Sequence, residues 1–208
     1  MKHSIIPFLA TPIFTTETDF RLTENEMNIV KNDFDDGKES ALREGSQLSL
    51  SHRLLELSEL KRVHDFIVKT VKDFVKDHLK ITDEFYLTSS WATTNKKGSK
   101  HHSHNHPNTL LSVVYYPHAE SGDLLFHSSQ NGLFPNFDFK FNYSEYNEFN
   151  SKSWTLPVKT GDLVIFPGWL THESTPNEHD SLRVMIGANF FTRGIFGNYK
   201  EVNLLEVK

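Results

Sequence analysis

The feature that most constrains the fold is a change of hydrophobic period near Thr82. Upstream, apolar residues recur at helical spacing; downstream they gather into short runs rich in β-branched and aromatic residues. These runs are Phe85–Trp91, Thr109–Tyr116, Asp123–His127, Ser153–Val158, Asp162–Pro167 and Arg183–Phe191, each bounded by Gly, Pro, Asn or Ser. A mainly β chain with flanking helices is predicted, built as a β-sandwich or open barrel. In the first part, Thr23 followed three residues later by Glu26 forms a capping box, with Leu22 and Met27 placed as a hydrophobic staple. Met27, Val30 and Phe34 share a face of the helix this starts, and Gly37 is its predicted stop. A second helix runs from Ser58, with Leu60, Val63, Ile67, Val71 and Phe74 on one stripe that should lie against a sheet.

At 208 residues the chain is long enough for one domain with a real core. It divides into an N-terminal strand with supporting helices (1–84), a strand-rich core (85–192) and a C-terminal tail (193–208). Within it, the segment 134–149 alternates Phe137, Phe139, Phe141 and Tyr143, the pattern of an edge strand or an aromatic flap. Lys and Arg number 22 against 27 Asp and Glu, a net charge of −5, so no basic excess points to a nucleic acid. No apolar run approaches the roughly 18 residues needed to cross a bilayer, and the start lacks the pattern of a signal peptide. A soluble, cytoplasmic protein is expected. Cysteine is absent, so any metal must be held by imidazole and oxygen groups.

Four histidines crowd residues 101–106: His101, His102, His104 and His106. On an extended segment His102, His104 and His106 would project to one side, so two of them could reach a metal together. His3, His52, His64, His78 and His118 stand alone on polar stretches and read as surface histidines. Farther on, His172 follows the Pro167-Gly168 pair, and Arg183 heads another strand, so the two can converge across neighbouring strands. A His-x-His, a distant His and an Arg beyond it suit an iron site with a dianionic co-substrate. Iron(II) in oxygenases takes three ligands on one face and leaves open positions, and an arginine fork grips a carboxylate bidentately. The third ligand is His106, His102 or a carboxylate such as Asp123; the Pro107-Asn108 turn favours His106. Two other readings remain: a non-catalytic metal- or ligand-binding jelly roll (cupin-like), and a metal hydrolase using Glu173 as base. Glu173 directly follows His172 on a strand and so should point away from the metal, which weakens the second.

The stretches "SSWATTNKKGS", "HNHPNTLLSVVYYP", "SGDLLFHS", "GDLVIFPGWLTHE" and "RVMIGANFF" resemble, in order and spacing, the 2-oxoglutarate and iron(II)-dependent oxygenase superfamily. Within it they are similar to the prolyl-hydroxylase-like branch of bacteria and their phages, over roughly residues 85–192. The resemblance implies a double-stranded β-helix, or jelly roll, packed against the N-terminal helices. It implies iron(II) as cofactor, 2-oxoglutarate and dioxygen as co-substrates, and hydroxylation of a primary substrate that the sequence does not identify. By position, His104 matches the first histidine of the superfamily's HxD element, His172 the distal histidine, and Arg183 the residue that binds the far carboxylate of 2-oxoglutarate. Tyr116 matches a position that hydrogen-bonds the same carboxylate, while Trp91 and Asn95 belong to the branch pattern without an assigned role. The departure is His106, where the superfamily usually carries Asp or Glu. Three neutral imidazoles would leave iron(II) at +2, a charge the 2-oxoglutarate dianion can offset.

Overall fold

The structure, a computed structural model, describes residues 10–33, 45–128, 141–197, 199 and 202–208. The opening segment gives β1 (Phe14–Glu17) and α1 (Glu24–Asn32), followed by β2 (Ser46–Leu48), two 3-10 turns and α2 (Lys61–Asp77). Then come β3 (Glu84–Asn95), β4 (Leu111–His118), β5 (Leu124–His127), β6 (Ser153–Leu156), β7 (Asp162–Pro167), β8 (His172–Ser174), β9 (Arg183–Phe196) and β10 (Leu205–Val207). One sheet has the order β1-β7-β4-β9-β3-β2, with β10 paired to β9; the other has the order β6-β5-β8. Two antiparallel sheets backed by helices form the expected jelly roll.

The capping box closes as read: the Glu26 amide donates to Thr23 Oγ1 at 3.2 Å and the Thr23 amide to Glu26 Oε2 at 2.7 Å. Leu22 and Met27 both pack against the core. Phe34, Gly37, His3, Phe137 and Phe139 lie outside the described residues, so the predicted helix stop and much of the aromatic segment do too. The α2 stripe is buried as predicted, from Leu60 through Val63, Ile67 and Val71 to Phe74. Each fully buried aliphatic side chain of this kind contributes about 1.5–3 kcal/mol.

Alternation along the central strands sorts their side chains between two cores. Leu111, Val113 and Tyr115 of β4, Leu163 and Ile165 of β7, and Val184, Ile186, Ala188 and Phe190 of β9 face the helices. Tyr116, Val164, Phe166 and Met185 face the small sheet, where they meet Leu124, Phe126 and Leu170. Both faces of the large sheet are therefore covered, which is why its strands read as continuous apolar runs. The predicted runs correspond to β3 to β7 and β9. β3 and β9 are longer than their apolar cores suggest, because they pair with each other from Glu84↔Arg193 to Asn95↔Arg183.

Candidate metal and co-substrate site

The inward face of this β3–β9 ladder sets the rows of the site. Trp91 stands opposite Gly187, Thr93 opposite Met185 and Asn95 opposite Arg183. From the neighbouring strand β4, Val114 and Tyr116 reach the same interior. A Cβ on Gly187 would lie 2.5 Å from the Trp91 indole, so glycine there lets the ring lie flat on β9. The indole in turn packs against His106, ring centroids 5.4 Å apart.

The histidine segment does not form the regular strand that alternation assumed. Residues 98–106 instead run beside 168–177 through separated contacts. Asn177 N donates to Ser99 O (3.0 Å), Ser174 N to His101 O (3.2 Å) and His106 N to Gly168 O (2.9 Å). Only His104 and His172 pair as in a ladder, exchanging N–H···O bonds of 2.9 and 2.8 Å. That exchange sets the two imidazoles side by side, and the Gly168 anchor brings His106 over both. Ligand atoms of His104, His106 and His172 all lie within 4.8 Å of one another. His102 and Asp123, the other candidates for the third position, are not part of this group.

Two of the three rings have their tautomer fixed. His104 Nδ1 lies 2.8 Å from His102 O and His172 Nδ1 lies 2.9 Å from Leu170 O. A carbonyl only accepts, so both Nδ1 atoms carry the proton and both Nε2 lone pairs are left to bind a metal. Burial pulls all three imidazoles below their usual pKa, His106 to about 4 and His172 to about 3, with His104 adding repulsion in both. They are neutral at physiological pH. Glu173 points away, as the sequence indicated: it accepts from Lys100 at 3.1 Å and pairs with His127 at 2.8 Å.

Beyond the triad a narrow cavity of about 40 Å³ is lined by Thr93, Val114, Tyr116, Leu124, Ser174 and Met185, among others. Arg183 lies behind Ser174, only 1% exposed, and forms no ion pair among the described residues. Burial lowers its pKa, yet a guanidinium stays charged. Its Nη2 is saturated, donating to Ser174 Oγ (2.8 Å), Thr175 O (2.9 Å) and Asn95 Oδ1 (3.3 Å). Nη1 makes one long contact to Ser121 O, at 3.4 Å, and Nε has no partner. Two more buried polar atoms are unpartnered nearby, the Tyr116 hydroxyl and Asn95 Nδ2. Asn95 could not be assigned from the sequence because its meeting with Arg183 is made by strand pairing across 88 residues. A larger cleft of about 570 Å³ between the end of α2 and the start of β3 is lined by Lys72, Lys76, Lys80, Asp83 and Glu84, with no converging metal-ligand set among the described residues.

Residues 89–189 match the model of a family described as "Putative 2OG-Fe(II) oxygenase". Among solved structures, the chain is similar to a prolyl-4-hydroxylase of Pseudomonas putida, at 12% identity and TM-score 0.56, over 88% of this chain and 94% of that one. It is similar to the non-heme α-ketoglutarate-dependent carbocyclase SnoK of nogalamycin biosynthesis, at 12% identity and TM-score 0.58, over 86% and 79% of the two chains. HygX of Streptomyces hygroscopicus, whose structure holds nickel, 2-oxoglutarate and hygromycin B, matches at 11% identity and TM-score 0.55, over 86% and 82%. No curated protein sequence matches. These identities show a shared fold, and the family match runs from the middle of β3 to the middle of β9 and includes the whole histidine triad. Over that segment the chain matches the 2-oxoglutarate and iron(II)-dependent oxygenase superfamily.

Proposed function

We propose that His104, His106 and His172 hold the iron(II) of this dioxygenase, that Arg183 and Tyr116 hold the far carboxylate of 2-oxoglutarate, and that the product is a hydroxylated primary substrate. The residues fit both groups. Three neutral imidazoles with two fixed Nε2 lone pairs suit a borderline divalent metal, and the unpaired charge of Arg183 beside an unpartnered Tyr116 hydroxyl suits a carboxylate. When bound, iron(II) and 2-oxoglutarate supply the oxidation: one oxygen atom of O2 enters a substrate C–H bond, the other ends in succinate, and carbon dioxide leaves.

The chain's own task is placement. Carbonyls of His102 and Leu170 orient two rings, Trp91 braces the third, and Arg183 with Tyr116 holds the far carboxylate of the co-substrate. Phe126 and Phe166, with ring centroids 6.2 and 4.6 Å from His172, keep that ring's surroundings apolar and dry. With every ligand neutral, the site keeps the full +2 charge of the metal, and the co-substrate dianion balances it. The observation that carries the reading is the convergence of three imidazoles, one buried and two half-buried, in the same cavity as Tyr116, with a buried arginine behind it that forms no ion pair among the described residues. The test is succinate release. Iron(II)-reconstituted protein supplied with 2-oxoglutarate and air should form succinate slowly without a primary substrate, above a metal-free control. No excess over that control would refute the assignment.

A further inference from the structure

The inward row of the β3–β9 ladder does not end at Trp91 and Gly187. Its next pair is Ser89 and Asn189, which stand opposite each other. A bulge makes this possible. The pairing shifts between Leu87 and Ser89, so Thr88 is an extra residue on β3, and its hydroxyl donates to Asn189 O at 3.1 Å. Before the bulge Leu87 packs against the helix-side core, and under strict alternation Ser89 would point there too. The inserted residue turns Ser89 to the face that carries the metal site, re-aiming a side chain as bulges beside active sites do.

Ser89 and Asn189 line a cleft of about 280 Å³ together with Leu48, His52 and His102. Trp91, His101 and His106 line both this cleft and the narrower cavity of the triad, so the two spaces share a wall. The cleft lies one side chain from the proposed metal. Among the described residues no Asp, Glu, Lys or Arg lines it, and the proposed ligand in its wall is an imidazole rather than a carboxylate. Asn189 is 8% exposed, and its Oδ1 already accepts from Ser112 Oγ at 2.9 Å. What it offers the cleft is a donor, Nδ2, with no partner among the described residues. Ser89 Oγ, directly across the strand pair, is likewise without one and can accept. A donor beside an acceptor is complementary to a secondary amide, which presents one C=O and one N–H. The Trp91 ring adds an apolar surface for neighbouring carbon atoms.

We propose that this cleft receives the primary substrate, and that the substrate is an uncharged molecule bearing an amide, whose carbonyl accepts from Asn189 Nδ2 and whose N–H donates to Ser89 Oγ. This rests on the metal reading above and adds the class of molecule that is hydroxylated. A carboxylate or an ammonium would lose hydration in the cleft without meeting an opposite charge. Selection is therefore by charge first and by the amide second.

The test uses cobalt(II)-loaded protein with 2-oxoglutarate, in which the paramagnetic metal broadens the proton signals of a probe bound beside it and no turnover is required. Zinc-loaded protein gives the baseline. The probes are N-acetyl-leucine methylamide, which is uncharged, N-acetyl-leucine, an anion, leucine methylamide, a cation, and sorbitol, uncharged but without an amide. The uncharged amide should be broadened at least threefold more than each of the others. Asn189→Asp keeps the oxygen that Ser112 binds but exchanges the donor for a charged acceptor. Broadening of the uncharged amide should then fall at least fivefold while that of leucine methylamide rises. Ser89→Ala should lower the first at least twofold, which keeps the proposal falsifiable if Asn189→Asp folds poorly. Equal broadening of a charged probe or of sorbitol, or no change in either variant, would overturn the inference while the visible cobalt spectrum still reports an intact metal site. A parent protein whose cobalt spectrum is that of the aqueous ion would overturn the metal reading and the inference with it.

Discussion

At the residue scale the decisive position is 106, where an imidazole stands in place of the superfamily's usual carboxylate. His104 and His172 are fixed by backbone pairing to each other, whereas His106 is fixed by its amide bond to Gly168 and by the Trp91 ring. On the proposed ligand set, removing His106 would leave the metal with two protein donors. His106→Ala should weaken iron(II) binding at least tenfold in an anaerobic titration, which is about 1.4 kcal/mol at 25 °C. His102→Ala should change it less than threefold, because what His102 gives the site is its carbonyl, which accepts from His104 Nδ1. His106→Asp should retain the metal through a carboxylate oxygen. Tight binding by His106→Ala together with loss in His102→Ala would move the site by one ligand.

At the element scale, the β3–β9 ladder joins the structural and functional halves of the molecule. One face of β9 packs under the helices through Val184, Ile186, Ala188 and Phe190, and the other presents Arg183, Met185, Gly187 and Asn189 to the interior. A defect in this ladder should therefore be felt in both stability and metal binding. Gly187→Ala puts a methyl group within 2.5–2.8 Å of three indole atoms of Trp91, whose other neighbour is His106. Overpacking of this kind costs about 1–3 kcal/mol. The variant should melt lower than the parent and also bind iron(II) more weakly, as thermal unfolding and metal titration would reveal. A lower melting point with unchanged metal affinity would show that Trp91 does not brace His106.

At the scale of the whole molecule, the two helices are tied to each other and to the sheet through one carboxylate. Glu26 of α1 is 5% exposed, caps its own helix, and accepts from Arg62 Nε of α2 at 3.0 Å and from Arg62 Nη2. Arg62 also stacks over Phe20, 4.3 Å from its centroid, and Phe20 meets Tyr115 of β4. Burial alone would raise the Glu26 carboxyl, but the bonds from Arg62 and Thr23 outweigh it and the net shift is downward. A carboxyl with a lowered folded pKa holds its proton less tightly than in the unfolded chain. Its stabilisation is complete above the ordinary value of 4.5 and is lost as pH falls through the folded one. Glu26→Gln should therefore unfold more easily than the parent at neutral pH, with the gap closing in acid. A gap constant from pH 7 to pH 3 in urea unfolding would contradict the ionic role.

What the sequence determined by itself is what depends on neighbours along the chain. The Thr23–Glu26 capping box, the α2 stripe and the short apolar runs that became β3 to β7 and β9 are local patterns, and each appears in the structure. The spacing of His104, His172 and Arg183 likewise carried the family resemblance. Tertiary structure decided how the site is assembled, because its contacts join residues that no local pattern relates. His104 meets His172 by a two-bond exchange between irregular segments, so His104 and His106 come together with His172 without the strand that the alternation argument assumed, and His102 does not join them. Asn95 meets Arg183 because the β3–β9 register sets them opposite, and that pairing lets Arg183 Nη2 donate to Asn95 Oδ1. Register is a collective outcome of a twelve-residue and a fourteen-residue strand zipping together, and one residue of slip would have exchanged every inward side chain for an outward one.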